Sequence, residues 1–308
     1  MTAERTPVPL GTQHLTQPTE HLIRAATRPN TKRAYQTATR QFEAWAGNRE
    51  LNDPLVAEYL AHLHHGRGLA PATIGIALSA IKRLAKVAGL ETSWKYTSET
   101  IAGIRREGRE RGRGQSSGLT YEDFITLLNT CDRPRKLTKY RESAHRAKER
   151  ALVDKVIVSL LFMAGMRRSE VAALQWRDIE DRSQGQLLVQ VRSSKTNQEG
   201  RPDYRLLKKQ AAKAVKTLRA AMQPQDEDRV VPFTCRQIAS RFQACCEHSG
   251  LEGKFTAHSG RIGLASELIT RGASTADVAH AGGWQSEIMV LHYSQQARVE
   301  QGAVAKYF

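Results

Sequence analysis

Residues 105–118 impose the strongest constraint on the fold, because apolar side chains are missing from this whole segment. It lies between Ile104 and Leu119 and is rich in arginine and glycine. Such a composition cannot contribute to a packed core and is typical of a linker. In a chain of 308 residues, both sides are long enough to bury a core. The sequence therefore predicts a flexible tail at 1–18, one domain at 19–105, a linker at 106–118 and a second domain at 119–308.

The first domain shows helical periodicity from end to end. Tyr35, Phe42 and Trp45 fall on one stripe of a segment at 31–46, and similar stripes occur at 55–66 and 72–89. Aromatic residues at this spacing are typical of core positions, although exposed aromatic rings could also stack on bases. The pattern predicts a small all-helical domain with basic faces.

The second domain mixes two periodicities. Thr120 and Asp123 form a capping box at the start of a helix. Beyond it the sequence predicts a basic loop at 133–150, helices at 151–165, 166–180, 210–222, 235–250, 266–272 and 275–283, hairpin strands at 187–195 and 203–207, and a short strand at 229–233. The fold class predicted is mainly α with a small antiparallel β-sheet.

The charge balance indicates a polyanionic partner. The chain carries 47 Lys and Arg against 31 Asp and Glu, a formal net charge of +16. A merely solvated basic surface is the alternative. Because no run approaches the roughly 18 apolar residues of a membrane span, and no signal peptide is recognisable, we expect a cytoplasmic protein without a membrane partner.

The four cysteines form no CxxC pair, so reduced and mostly buried thiols are expected. A metal site built from Cys245, Cys246 and His248 is the less favoured interpretation. No P-loop is present. The sequence predicts neither a catalytic metal nor a cofactor.

The last quarter of the chain places groups suited to phosphate chemistry close together. His258 and Arg261 are three residues apart, so a helix would set both on one face. A glycine pair precedes Trp284, and Tyr293 follows nine positions after the tryptophan. Guanidinium groups bind phosphate oxygens in a fixed fork, and a phenol becomes a nucleophile when a neighbour accepts its proton. These residues favour attack on a phosphate ester.

Two further motifs upstream, GMRRSE at 165–170 and a lysine on the predicted hairpin, complete an ordered set of five. In this order the motifs resemble the tyrosine site-specific recombinases of the phage integrase family, most closely the Cre-like members. The resemblance covers nearly all of residues 30–308 and implies a nucleoid-associated protein of bacterial or phage origin. It implies a C-shaped clamp in which a helical core-binding domain and a catalytic domain close around DNA.

The resemblance also implies roles for individual residues. Its catalytic positions fall on Arg167, Lys195, His258, Arg261, Trp284 and Tyr293, with Glu170 supporting Arg167. Tyr293 is then the nucleophile of a 3′-phosphotyrosyl intermediate, the arginines hold the phosphate, and Lys195 is the general acid for the leaving oxygen. Gly260 departs from the family pattern and is expected to loosen the backbone beside Arg261.

Each of these residues also has an ordinary interpretation when it is taken alone. Arg167 and Glu170 have the spacing of a surface ion pair on a helix. By itself, His258 would be a core histidine and Lys195 a surface lysine. The joint arrangement favours a recombinase that exchanges strands through a four-way junction, without ATP or metal. A DNA-relaxing enzyme or telomere resolvase, and a DNA-binding protein without catalysis, are the alternatives.

The partners implied are double-stranded DNA with inverted-repeat sites and three further copies of the chain. A C-terminal helix at about 298–308 is expected to dock on the next protomer of a homotetramer, with packing on its own domain as the alternative. With only a short tail ahead of the helical domain, we expect short sites and no obligate bending protein.

The residues predicted to contact DNA are Lys32, Arg33, Lys82, Arg83, Lys86, Arg105, Arg106, Arg236 and Arg241. For Arg111 and Arg113 two compatible interpretations stay open, entry into a minor groove and a solvated connector.

Overall fold

The chain divides into two compact units, Met1–Gly114 and Gln115–Phe308. The computed structural model describes residues 17, 28–112, 116–136, 141–192, 203–300, 302, 304 and 307. Apart from Gln17, the predicted tail at 1–18 lies outside these residues. Each unit has a hydrophobic core of its own. Among the described residues, no helix has the length and apolar content needed to cross a bilayer.

The first unit is all helical over its described residues. Its helices are α1 (Pro29–Ala46), α2 (Asp53–Ala61), which continues into a π-helical turn (His62–Gly66), α3 (Pro71–Val87) and α4 (Lys95–Glu107). Asn52 caps α2 by accepting a hydrogen bond from the Leu55 N–H at 2.9 Å. The carboxylate of buried Asp53 accepts the backbone N–H groups of Tyr96 and Thr97 at 2.8 and 2.9 Å, which fixes the start of α4 against α2.

The second unit is built around one long buried helix. Its α-helices are α5 (Tyr121–Thr130), α6 (Ala144–Phe162), α7 (Arg168–Ala173), α8 (Lys209–Met222), α9 (Cys235–His248), α10 (Ser259–Thr270), α11 (Thr275–Gly282), α12 (Glu287–Tyr293) and α13 (Gln295–Glu300). Two 3₁₀ turns, Trp176–Asp178 and Ser183–Gly185, lie between α7 and α8. The middle of α6 is buried on all sides, from Val156 to Phe162. A helix that is apolar all round belongs in a core.

A three-stranded antiparallel sheet in the order β1-β2-β3 completes this unit. The strands are β1 (Ile179–Asp181), β2 (Leu187–Val191) and β3 (Asp203–Leu207). Their registers pair Ile179 with Val189 and Leu187 with Leu207. Alternate side chains of β2 point into the core, as a half-buried strand requires. The predicted fold class, mainly α with a small antiparallel sheet, is confirmed.

The single helix predicted at 166–180 is wrong. Helix α7 ends at Ala173, Leu174 is extended at ψ 131, and the chain then enters the 3₁₀ turn and β1. The Asp178 carboxylate accepts the Gln175 N–H at 3.0 Å and closes that turn. Burial of Trp176, which is 1% exposed, outweighs the helical periodicity.

Other predicted elements also differ from the structure. The helix predicted at 266–272 is α10, which begins earlier, at Ser259, and ends at Thr270. Helix α6 begins at Ala144, within the predicted basic loop, because the Ser143 hydroxyl caps it through the Arg146 N–H at 3.3 Å. The predicted strand at 229–233 is absent from the described structure. Only an isolated bridge joins Arg229 to Gln175. Val230 and Val231 are nevertheless fully buried, so the apolar run indicated burial correctly but not strand pairing.

Candidate active site

Arg167 is held at the start of α7 by Glu170. The Glu170 carboxylate accepts the Arg167 backbone N–H at 2.8 Å through one oxygen and the guanidinium Nη1 at 2.6 Å through the other. Glu170 is 3% exposed, and a buried carboxylate requires such partners. One acidic side chain therefore fixes both the backbone and the guanidinium of Arg167. The neighbouring Arg168 is exposed.

Arg261 lies in the first turn of α10 and is 1% exposed. Its Nη1 donates to the carbonyl oxygens of Gly165 and Gly282, the latter at 2.8 Å, and its guanidinium carbon lies 4.3 Å from the ring centre of Trp284. Nη2 is buried and has no hydrogen-bond partner among the described residues. A buried donor without a partner costs about 1–3 kcal/mol, so Nη2 is suited to a ligand oxygen.

Close packing of α10 fixes the position of Arg261. A side chain at Gly260 would place its Cβ 2.4 Å from the Leu161 carbonyl oxygen of α6, and one at Gly263 would lie 1.8 Å from the Leu119 carbonyl oxygen. The Leu119 N–H also donates to the Ser259 carbonyl at 3.0 Å. The expectation that Gly260 loosens the backbone is therefore wrong. It lets two backbones approach and anchors the helix.

The glycine pair before Trp284 is a packing requirement as well. Gly283 ends α11 in the left-handed region at φ 61, a conformation that favours glycine. A Cβ on Gly282 would lie 1.7 Å from the Trp284 ring. The tryptophan, 8% exposed, is thereby folded back over Arg261 and lies 6.1 Å from the Tyr293 ring, centre to centre.

Tyr293 is the last residue of α12 and faces His258, the N-cap of α10. The phenolic oxygen and the histidine Nε2 are 2.9 Å apart. The Ser266 hydroxyl donates to the Tyr293 carbonyl at 3.2 Å, which ties the end of α12 to α10. With Nε2 unprotonated, the phenol donates its proton directly to this ring nitrogen.

The pKa shifts in the site keep Tyr293 and His258 uncharged at pH 7, with the phenol a weaker acid and the imidazole a weaker base than usual. Burial raises the pKa of Tyr293 above its ordinary 10.0, although the charges of Arg261 and Arg167 oppose the shift. Partial burial, and then the charges of Arg261 and Arg167, lower the pKa of His258 below 6.5. The imidazole is therefore neutral at pH 7 and able to accept a proton. Burial and the charge of Arg167 lower the pKa of Arg261 to about 10, which leaves it protonated at pH 7.

The structure brings together five of the six residues predicted to be catalytic. Arg167, His258, Arg261, Trp284 and Tyr293 are joined by direct contacts or by mutual electrostatic effects. The sixth, Lys195, lies outside the described residues, between the end of β2 and the start of β3. Two cationic groups beside a phenol and a neutral imidazole can bind a phosphate diester and activate an attack on phosphorus.

Arg205 is part of the site's framework and was not predicted. It lies on β3, and its side chain is fully buried. Both of its terminal nitrogens donate to the Asp203 carboxylate, the second at 2.6 Å. A Cβ on Gly283 would lie 1.7 Å from Arg205 Nη2, so this guanidinium packs under the glycine pair. The sequence signal was an arginine at an inward-facing strand position.

Most of the residues predicted to contact DNA are exposed, and one is not available. In the first unit, the exposed ones are Lys32, Arg33, Arg83, Lys86, Arg105 and Arg106, while Lys82 is half-buried with its Nζ 5.2 Å from the Trp94 ring centre. In the second unit, Arg236 is exposed in the first turn of α9. Their contacts with DNA stay a prediction.

Arg241 is a correction to the predicted DNA contacts. Its guanidinium lies 2.8 Å from the carboxylate of Asp154, which is fully buried on α6. Arg135 and Arg150 pair with the same carboxylate at 3.1 and 2.9 Å. A buried charge must be paired, so Arg241 stabilises the core and is not free to read bases.

The cysteines have the expected reduced form and are mostly buried. Burial raises the pKa of Cys246 to about 12. Among the described residues, Cys245, Cys246 and His248 do not form a group of ligating atoms close enough together to hold a metal ion. The alternative of a metal site at these three residues therefore finds no support in this geometry.

Comparison with known proteins gives a consistent result. The model of the phage integrase family matches residues 126–300, more than half of the chain. The recombinase Cre of Escherichia phage P1 is 24% identical over 281 residues, which cover 82% of this chain and 78% of that protein. A tyrosine recombinase of Synechocystis, slr0733, is 28% identical over 186 residues, covering 55% of this chain and 53% of that protein.

Solved structures show the shared fold. XerH site-specific recombinase bound to a palindromic difH substrate has a TM-score of 0.66 at 15% identity, covering 90% of this chain and 79% of that one. A lambda integrase dimer bound to a core site has a TM-score of 0.61 at 16% identity, covering 89% and 92%.

Proposed function

Because the chain belongs to the phage integrase family, as its motifs had predicted, we propose that it is a site-specific recombinase that cuts and rejoins double-stranded DNA through a covalent bond to Tyr293. The observation that carries this proposal is the convergence of a phenol, a neutral imidazole and two guanidinium groups on one point. A DNA-binding protein without catalysis has no need for this arrangement.

The proposed first step is in-line attack of the Tyr293 oxygen on phosphorus. The phenolic proton passes to His258 Nε2, which lies 2.9 Å away. A bond forms between the tyrosine oxygen and phosphorus, and the bond from phosphorus to the 5′-oxygen breaks. Negative charge that accumulates on the non-bridging oxygens is stabilised by Arg167 and by the unpartnered Nη2 of Arg261.

The leaving 5′-oxygen needs a proton, and we assign its delivery to Lys195 from the sequence resemblance. The products are a 3′-phosphotyrosyl ester and a free 5′-hydroxyl. Because one phosphoester replaces another, the energy of the broken bond is retained, and a 5′-hydroxyl from a second duplex can reverse the step. Two such exchanges in sequence pass through a four-way junction and require no nucleotide hydrolysis.

A trapping experiment tests this function and identifies the target sequence at the same time. The purified chain is incubated with a pool of duplexes whose sequence is randomised around a nick, so that cleavage releases a short fragment and leaves the adduct trapped. We expect adducts that survive boiling in detergent and disappear on proteolysis, and sequencing should recover inverted repeats.

A plasmid carrying two copies of the recovered sequence then separates recombination from DNA relaxation. Exchange between the two sites, read by restriction digestion, supports a recombinase. Relaxation of supercoils without any exchange would instead identify a relaxing enzyme, and failure to trap any adduct would contradict both functions.

Salt dependence tests the proposed binding of the phosphate backbone. The affinity for a random-sequence duplex should fall as salt rises, with a log–log slope of about −0.9 for each phosphate contact. Arg33→Ala removes an exposed charge and should reduce the slope by about 0.9. Arg49→Ala is the control, since its guanidinium is held 4.0 Å from the Trp45 ring centre and bonded to the Ala46 carbonyl. Equal slopes for all three proteins would contradict the assignment of Arg33.

The pH dependence of cleavage tests the role of His258. Protonated imidazole cannot accept the Tyr293 proton, so the single-turnover rate should fall as pH falls through the pKa of His258. Because that pKa is lowered below 6.5, the midpoint of the acidic limb should lie below pH 6.5. His258→Gln should remove this limb. A midpoint at or above pH 6.5, or an unchanged limb in the variant, would argue against His258 as the base.

We also propose that the protomers assemble as a homotetramer on DNA through their C-terminal segments. Ala297 of α13 is buried in its own unit, whereas Val299, Val304 and Tyr307 are 77%, 73% and 80% exposed. Apolar side chains exposed this far at a chain end favour a docking partner. The described part of the segment therefore supports exchange between protomers.

Truncation after Glu300 tests this assembly. We expect binding of one protomer to a single half-site to change by less than about twofold, while tetramers on a full two-site complex fall by at least about tenfold, because each closed ring loses every exchange contact. Mass photometry measures both species. Tetramers that form at the wild-type concentration would overturn the exchange.

A further inference from the structure

A second cluster of ligating side chains lies in the first unit. Helix α2 passes into the π-helical turn His62–Gly66, and this turn faces the last residue of α4, Glu107. His64 Nε2 lies 3.5 Å from Glu107 Oε1, and His65 Nδ1 lies 3.8 Å from the same oxygen. The three ligating atoms all lie within 4.8 Å of one another. π-Helical turns are rare and occur frequently at functional sites.

Burial of His64 distinguishes this cluster from an ordinary group of exposed ligating side chains. It is 0% exposed, and its Nε2 is buried with no hydrogen-bond partner among the described residues. A direct bond to Glu107 is the ordinary explanation, but 3.5 Å exceeds the usual N–H···O range of about 2.7–3.2 Å. A buried nitrogen aimed at a carboxylate and a second imidazole leaves room for a ligand between them.

We propose that His64, His65 and Glu107 bind a divalent transition metal ion, zinc in the first instance. Bonds of about 2.0–2.2 Å to zinc place tetrahedral ligand atoms about 3.3–3.6 Å apart, and the separations of 3.5 and 3.8 Å are close to this. Two imidazole nitrogens and one carboxylate oxygen favour zinc, cobalt, nickel or copper over magnesium or calcium. Water completes the coordination. The ion joins the end of α2 to the end of α4 and takes no part in the proposed strand exchange.

Arg111 makes the site conditional. Its Nη1 donates to the His64 carbonyl at 2.7 Å and lies 3.4 Å from His64 Nδ1. A metal on Nε2 requires the proton on Nδ1, and an N–H cannot accept from a guanidinium. Metal binding at His64 Nε2 and the contact of Arg111 Nη1 with His64 Nδ1 therefore exclude each other. Arg111 follows α4 in the segment predicted to be a linker, and its bond to the His64 carbonyl does not compete with the metal.

Metal titration of the full chain, purified without a histidine tag, tests the proposal. Cobalt(II) serves as the spectroscopic probe, and zinc affinity is measured against a chromophoric chelator. The wild type should bind one equivalent of each metal with visible absorption from cobalt. His65→Ala and Glu107→Gln, at two exposed side chains, should each weaken zinc binding by at least about tenfold. Arg111→Ala should strengthen it by at least about twofold, because the competing contact is gone.

The matched controls are His145→Ala and Glu149→Gln. These residues form an exposed histidine–carboxylate pair 3.6 Å apart on α6, and neither should change the stoichiometry or the affinity. Circular dichroism confirms that each variant is folded. Absence of a stoichiometric site in the wild type, or equal losses in the site and control variants, would overturn the proposal. Because the readout is the metal alone, the result is independent of recombinase activity.

Discussion

Replacement of Tyr293 by phenylalanine should abolish the covalent DNA adduct and lower strand cleavage by at least about 10⁴-fold, since no other group stands in for a nucleophile of this kind. The fold should survive. The ring keeps its contact with Trp284, 6.1 Å away between centres, and only the hydrogen bond between the phenol and His258 is lost, at a cost of about 1 kcal/mol.

A gel under denaturing conditions, with the trapped duplex described above, provides the measurement. Tyr204→Phe is the matched control. Tyr204 is exposed on β3 in the same unit, and this substitution removes the same hydroxyl group as Tyr293→Phe does. The control should cleave at the wild-type rate. An adduct that persists in Tyr293→Phe would remove Tyr293 from its role, whereas loss of the adduct in both variants would indicate a general defect.

Replacement of Arg261 by lysine should have the second largest effect. Lysine keeps the charge but cannot bond two carbonyl oxygens, stack on Trp284 and present a further donor at the same time. Cleavage should fall by about 10²–10³-fold, the range for loss of one donor to developing negative charge. The free energy of unfolding should fall by about 1–3 kcal/mol, because the carbonyl groups of Gly165 and Gly282 lose a buried partner.

The same substitution on the surface at the opposite end of the same helix controls for the chemical change. Arg271 bonds Glu267 at 3.1 Å with 59% of its side chain exposed, so Arg271→Lys should shift stability by less than about 0.5 kcal/mol and leave cleavage unchanged. Single-turnover kinetics and urea unfolding separate catalysis from stability. Cleavage by Arg261→Lys at the wild-type rate would contradict the assigned role.

The sequence was sufficient for the parts of the site that depend on local spacing. His258 and Arg261 were predicted to share a face if their segment is helical, and the structure places them at the start of one helix. The order of the motifs predicted that Arg167 and Tyr293 would join them. The predicted family resemblance is confirmed by the match to the family model.

Features that depend on contacts between distant segments were not predictable in this way. Arg241 satisfies the pattern of an exposed helix cation, yet Asp154 comes from another helix and holds it. Gly260 reads as a flexible position until the Leu161 carbonyl is placed against it. Arg205 gave a signal only as a charge on the inward face of a strand. In each case the deciding neighbour is far away in the sequence.

The attachment of residues 116–119 to the second unit has a practical consequence for chimeric recombinases. The Ser117 N–H donates to the Lys254 carbonyl at 3.0 Å, and the Leu119 N–H donates to the Ser259 carbonyl at 3.0 Å, on the helix that carries Arg261. A junction made within these residues would remove backbone bonds that seat this helix. Fusion of the second unit to a foreign targeting module should therefore be made before Ser116, where the graft leaves both bonds in place.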